Sequence, residues 1–199
     1  MKKMCGIFFT NDPNISSAQF NKAFNLMKHR GPDNSAVLKY KNFKIGHHRL
    51  SIVDLNTRSN QPMEINQHII IYNGEIYNYR DLIISEKLNV KTSSDTEVIL
   101  LLYLKYGSKC LKLLNGMFSF IILNKVSGRF FVARDRMGIK PLYVWKNKKK
   151  IILSSEILPI IKIKGYEFDE IGLRMYKKFR MTLKNYTIYK NINFFPAGS

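Results

Sequence analysis

Residues 116–155 read GMFSFIILNKVSGRFFVARDRMGIKPLYVWKNKKKIILSS, and the reading of this stretch decides the fold class. Four runs rich in isoleucine, valine and aromatic residues, at 116–124, 128–135, 141–146 and 150–155, follow one another with only short turn-like segments between them. Strands that succeed each other without an intervening helix pair as antiparallel neighbours, whereas parallel pairing needs a long crossover. The lysine cluster at 146–150 falls at one of the expected turns.

Outward from this block the periodicity changes. Residues 6–10, GIFFT, read as a strand, and 16–30 as a helix capped by Ser16 or Ser17 with Phe20, Phe24 and Met27 on one face. Residues 30–35 read as a loop, 42–55 and 68–78 as strands that each deliver polar residues at their ends, and 78–85 as a helix. Residues 93–107 form a helical pattern with Ser94 or Asp95 as N-cap and Gly107 as its close; 155–162 and 169–179 read as short helices. The sum is α+β with hairpins, not the regular alternation of a doubly wound sheet.

A length of 199 residues and a hydrophobic content of 45% suit one sizeable globular domain. Two cysteines, Cys5 and Cys110, are too few for a disulfide scaffold and point to a reducing, cytoplasmic setting; Cys110 reads as a small core residue. The apolar run after MKK at the start is too short for a secretory signal, and no membrane span is expected. A formal net charge of +19 invites a nucleic-acid reading, but the lysines are scattered and no nucleic-acid motif accompanies them, so such a partner is not expected. His29, His47 and His48 lack the partners and spacing of a metal site, and none is expected.

Polar residues at strand ends and helix starts could converge on one amino-acid substrate. Arg49 supplies a fork for a carboxylate, Asn73 and Gly74 an amide and a backbone N–H for an oxyanion, and Glu75 and Asp95 carboxylates for an ammonium. Beside a thiol at Cys5 the set describes hydrolysis of an amino acid that carries a second carbonyl. Taken singly, each has a plainer reading: Arg49 as a surface ion-pair partner, Asn73-Gly74 as a hairpin turn, Asp95 as a helix cap, Cys5 as core. Arg134 and Asp135 read as a local ion pair that fixes a turn.

Nine collinear segments carry a resemblance: MCGIF, HRGPD at 29–33, GHHRLSIVDL at 46–55, QPM at 61–63, YNGEIYNYRDL at 72–82, SSDTEVILLLY at 93–103, LNGMFSF at 114–120, ARDRMGIKPLY at 133–143 and SSEI at 154–157. The sequence resembles the class II glutamine amidotransferase domain, an N-terminal-nucleophile hydrolase, in the branch of the glutamine-hydrolysing asparagine synthetases. That resemblance implies a four-layer αββα sandwich of two antiparallel sheets. It makes Cys5 the nucleophile that forms a glutamyl thioester, Arg49 the holder of the glutamine α-carboxylate, and Leu50, Ser51, Ile52 and Val53 the pocket lining. It makes Asn73 and Gly74 the oxyanion hole, and Glu75 and Asp95 the partners of the α-amino group.

The same resemblance implies a glutaminase domain over 5–199, with 1–4 absent from the active form, because the mechanism uses a free α-amine on Cys5. L-glutamine is the expected substrate and a synthetase domain or subunit the expected ammonia acceptor; self-association is compatible with the pattern. The synthetase half, with its ATP and Mg, is missing from this chain, which is expected to be a fragment, a split subunit or a truncated product. No cofactor is expected in the domain itself. Three alternatives stay open: an inactive glutamine-binding or regulatory module, a glutaminase serving a sugar or natural-product acceptor, and, suggested by charge alone, a nucleic-acid-binding domain.

Overall fold

The computed structural model describes residues 4–199. In chain order it contains β1 (Gly6–Thr10), α1 (Ser17–Phe24), β2 (Asn34–Tyr40), β3 (Phe43–Arg49), β4 (Met63–Ile65), β5 (His68–Ile76), α2 (Tyr79–Ser85) and α3 (Asp95–Tyr106). There follow β6 (Gly116–Asn124), β7 (Phe130–Arg134), β8 (Tyr143–Asn147), β9 (Lys150–Ser154), α4 (Ile157–Lys164), α5 (Glu170–Phe179) and β10 (Ile192–Phe194). One sheet has the order β10-β8-β9-β1-β3-β2 and the other β4-β5-β6-β7. All the registered strand pairs are antiparallel.

Strand alternation explains how the layers stack. In β1, Ile7 and Phe9 face the second sheet, where they meet Ile69 and Ile71 of β5 and Ile121 and Leu123 of β6. Phe8 points the other way and packs with Phe20 and Phe24 of α1 and Ile160 of α4. On the far side of the second sheet, Ile70, Tyr72 and Phe120 pack against Val98, Ile99 and Leu102 of α3. Two sheets face to face with helices outside give four layers, α-β-β-α, as expected. A strand covered on both faces must be apolar at every position, which is why GIFFT shows no alternation.

Local signals hold at the helix ends. Ser16 caps α1 in a reciprocal capping box with Gln19, and Ser94, rather than Asp95, caps α3. Gly107 ends α3 at φ +58°, a conformation costly for residues with a Cβ. Cys110 is buried in the cluster around α3, as expected of a core residue.

Several features depart from the sequence reading. The strand assigned to 42–55 stops at Arg49, and 50–56 is irregular because its carbonyls turn inward to the Arg49 guanidinium. The loop assigned to 30–35 gives way at Asn34 to an edge strand, β2, whose seven residues pair with β3. The short strand β4 has no counterpart in the sequence reading. Finally, the four runs of 116–155 are two hairpins in different sheets, β6-β7 and β8-β9, so the chain crosses the sandwich between Arg134 and Tyr143.

That crossing is fixed by backbone bonds rather than by the expected ion pair, since no Arg134–Asp135 salt bridge forms. Arg134 donates to the carbonyls of Gly138, Lys140 and Phe195. Asp135 accepts from the N–H groups of Phe118, Met137, Ile139 and Lys140.

A buried histidine couples this fold to pH. His47 lies between the sheets, fully excluded from water, and its Nε2 meets the Tyr72 carbonyl at 3.0 Å. Burial pushes its pKa down to about 3, from an ordinary value of 6.5. With the folded pKa depressed, the unfolded chain binds the extra proton first, so stability is full above about pH 6.5 and falls progressively towards pH 3. Urea midpoints measured between pH 3 and pH 8 should fall in that window, and His47→Gln should lose that part of the dependence. A pH-independent midpoint in the parent chain would contradict the assignment.

Candidate active site

Three strands converge on one end of the sandwich. Gly6 pairs with His48, so Cys5, one residue earlier, comes beside Arg49 at the end of β3. Cys5 shares strand parity with Ile7 and Phe9, Arg49 with Ile45 and His47, and Asn73 with Ile69 and Ile71. All three therefore face the space between the sheets. Around them opens a cavity of about 400 Å³ lined by Cys5, Arg49, Leu50, Ile52, Val53, Asn73, Gly74, Glu75 and Asp95.

The thiol is half-buried. Its Sγ accepts the Leu50 N–H at 3.4 Å and lies 3.7 Å from the Leu50 carbonyl; among the described residues no histidine or carboxylate side chain hydrogen-bonds it. Burial is the largest influence on its pKa and raises it, while the Leu50 N–H and the Arg49 charge pull the other way. At neutral pH the group is therefore a thiol, and nucleophilic chemistry there needs a base. Arg30 donates through Nε to the Cys5 carbonyl at 2.9 Å and so fixes the backbone that carries the thiol.

Oxyanion donors come from β5. Asn73-Gly74 is not a hairpin turn but the middle of a nine-residue strand, opposite Ser119 and Phe118 of β6. The Asn73 Nδ2 amide is buried without a hydrogen-bond partner among the described residues, a costly state for a polar donor in a site that binds nothing. Along the free edge of β5 the Tyr72 N–H goes to the Gln61 side chain and the Ile76 N–H to Asp95. By alternation the Gly74 N–H lies on that same edge between them. A Cβ at Gly74 would sit 2.3 Å from the Met117 carbonyl and 2.6 Å from the Tyr72 ring, so only glycine fits.

The cavity is lined by charges of both signs. Arg49 is buried and has no carboxylate partner, contrary to a surface ion-pair reading. Its two terminal nitrogens instead donate to Asn56 O, Asn60 Oδ1, Val53 O and Asp54 O, which engages four of the five N–H groups of a guanidinium and leaves Nε–H. The expected free fork is thus a cation largely claimed by its own loop, with Nε–H left over. Glu75 and Asp95 line the same cavity. The Asp95 Oδ2 accepts from the Tyr72 hydroxyl at 2.7 Å and the Ile76 N–H at 3.0 Å; burial raises its pKa, with a smaller push from Glu75. An ammonium between the two acids would relieve that unfavourable state, as Arg49 would favour a carboxylate.

Of the expected lining, Ser51 alone does not reach the cavity; its N–H is tied to Asp33 at 2.8 Å. Sequence reasoning did not assign Met4, Gln61, Tyr72, Ser94, Met117, Ile139 and Lys140 to the site, although all line it. All seven stand in the segments that carry the resemblance, and that is the signal the sequence offers for them. Among the described residues no group of three or more His, Cys, Asp and Glu converges as metal ligands do, and no helix is long and apolar enough to cross a membrane.

A family model described as a glutamine amidotransferase domain matches residues 4–199. A putative glutamine-hydrolysing asparagine synthetase 2 of Methanocaldococcus jannaschii is 37% identical, the match covering 94% of this chain and 42% of that protein. Asparagine synthetase B of Escherichia coli is 35% identical over 80% of this chain and 30% of its own length. A glutamine phosphoribosylpyrophosphate amidotransferase of Bacillus subtilis, solved with ADP and GMP, superposes with a TM-score of 0.67 at 20% identity, over 80% of this chain and 43% of that one. The chain spans less than half the length of these relatives.

Proposed function

The chain belongs to the glutamine amidotransferase domain family, and from that premise we propose that it hydrolyses the side-chain amide of L-glutamine at Cys5 and yields glutamate and ammonia. The single observation that carries the reading is a thiol that no side-chain base among the described residues hydrogen-bonds, sharing one cavity with an unpartnered buried amide at Asn73. A zwitterionic α-amino acid fits these charges of both signs, its ammonium towards Glu75 and Asp95 and its carboxylate towards Arg49.

The missing base is the α-amine of Cys5 itself once residues 1–4 are removed. Residues 1–3 of that extension lie outside the described residues; Met4 lines the cavity and donates its N–H to the Arg30 carbonyl. The free amine, of ordinary pKa near 8, takes the thiol proton as sulfur attacks the amide carbon, whereas an acylated nitrogen cannot. The C–S bond forms as the carbonyl π electrons move onto oxygen, where Asn73 Nδ2 and the Gly74 N–H receive them. The protonated amine then returns its proton to the leaving nitrogen, the C–N bond breaks, and ammonia departs. Water hydrolyses the thioester by the same route. The ammonia acceptor is a synthetase domain of the kind that completes the asparagine synthetase relatives.

Kinetics separate the roles. Asn73→Ala should lower kcat by about 100- to 1,000-fold with little change in KM, since its partner charge exists only after attack. Arg49→Ala should act chiefly on KM, because the substrate carboxylate is present throughout, and should also loosen the 53–60 segment. The assay is equimolar release of glutamate and ammonia from glutamine. No release from a chain that begins at Cys5 would overturn the reading.

A further inference from the structure

The segment ARDRMGIKPLY at 133–143 crosses from one sheet to the other, and its side chains hold that turn with unusual completeness. Lys140 is pinned on both sides of its backbone: its N–H donates to Asp135 Oδ2 at 3.0 Å and its carbonyl accepts Arg134 Nε at 2.8 Å. The residue so placed is buried, at 8% exposure, and lines the same cavity as Cys5. Among the described residues its Nζ makes one hydrogen bond, to the Met4 Sδ at 3.6 Å, and no salt bridge. A thioether is a weak acceptor, and a buried ammonium resting on it alone is poorly compensated. A turn this heavily anchored, spent on holding a cation where it is costly, calls for a purpose in the cavity.

We propose that Lys140 is an electrostatic element of the glutamine site, its ammonium held beside Cys5 so as to favour the neutral α-amine and the thiolate over their protonated forms. The inference rests on the glutaminase reading of the pocket and goes beyond it, since Lys140 acts through Cys5 and touches neither the scissile amide nor its oxyanion. Removal of Met4 would take away the Nζ partner and put the Cys5 amine where the Met4 peptide stood. An amine that must be neutral to accept the thiol proton gains from a neighbouring positive charge.

Other charges face the same atoms and set the baseline. Arg49 from β3 acts on the thiol in the same sense as Lys140, and Asp95 from α3 in the opposite one. Lys140 itself faces Cys5, Arg30 and Glu75 as well as Asp135, whose carboxylate is already committed to four backbone N–H groups. Burial is the main influence that lowers the Lys140 pKa, with Arg30 adding to it, while Cys5, Glu75 and Asp135 oppose it.

The test uses the chain beginning at Cys5, with Lys140→Met, Lys140→Gln and Lys140→Arg, and two readouts: kcat/KM for glutamine against pH, and the rate of Cys5 alkylation by iodoacetamide against pH, followed by mass spectrometry. Both neutral variants should move the acid limb of kcat/KM and the alkylation midpoint upward by on the order of one pH unit. Lys140→Arg, which keeps the charge, should stay near the parent in both. Unmoved midpoints in the neutral variants overturn the proposal, as does a loss of activity at all pH values without displacement, the mark of a merely structural residue. If the parent chain releases no ammonia, the glutaminase reading has failed, and the alkylation midpoints still decide what Lys140 does to Cys5.

Discussion

Cys5→Ala should abolish glutamine hydrolysis, with kcat reduced by at least about 10,000-fold, while the fold persists. The proposed route has no step without sulfur: the C–S bond is the intermediate, and the donors on β5 act only on the charge that its formation creates. No other thiol can stand in. Cys110 lies in the core around α3, and burial pushes its pKa up to about 11. The substitution removes little packing, because Cys5 is half-buried and, among the described residues, its sulfur hydrogen-bonds only to the Leu50 backbone. Stability should therefore change by no more than about 1 kcal/mol, and thermal melts of the two forms should nearly coincide. Ammonia release from glutamine at the parent rate by a folded Cys5→Ala protein would remove the nucleophile from the account.

The residues themselves explain why some of this was legible in the sequence. GIFFT and HIIIY are strands buried on two faces, and that burial shows as unbroken apolar runs; Ser16, Ser94 and Gly107 are local caps whose chemistry acts within a few residues. What was not legible depends on distant partners. Residues 50–55 have the isoleucine and valine of a strand, yet the Arg49 guanidinium draws the following carbonyls inward and ends β3. Strand β2 alternates between half-buried and exposed positions, so its apolar signal is weak and only pairing with β3 defines it. Two adjacent hairpins look alike in sequence whether they share a sheet or face each other across a sandwich.

Within the site, the division is similar. Arg49, Asn73 and Glu75 are polar residues towards the ends of strand-like runs and Asp95 stands at a helix start, positions that the sequence marks. Lys140 does not stand out, in a chain with 33 lysines and arginines; apart from its place in ARDRMGIKPLY, its burial at the end of an anchored turn is what distinguishes it. The Arg134–Asp135 pair reads as mutual attraction in sequence, and in three dimensions each side chain is turned to backbone groups of the crossing instead.

The central claim is that the Cys5 α-amine is the base, and it is tested most directly by comparing two chains that differ only in their start. One begins at Cys5 and the other retains Met4, with its N-terminus blocked against further trimming and both masses verified. In the second, the Cys5 nitrogen is an amide that cannot take a proton at neutral pH, and Met4 occupies part of the cavity wall with its sulfur against Lys140. Glutamate and ammonia should appear in equal amounts from the first chain and at no more than background from the second. Equal rates from the two would mean that some other group activates the thiol, and would contradict the mechanism drawn for this pocket.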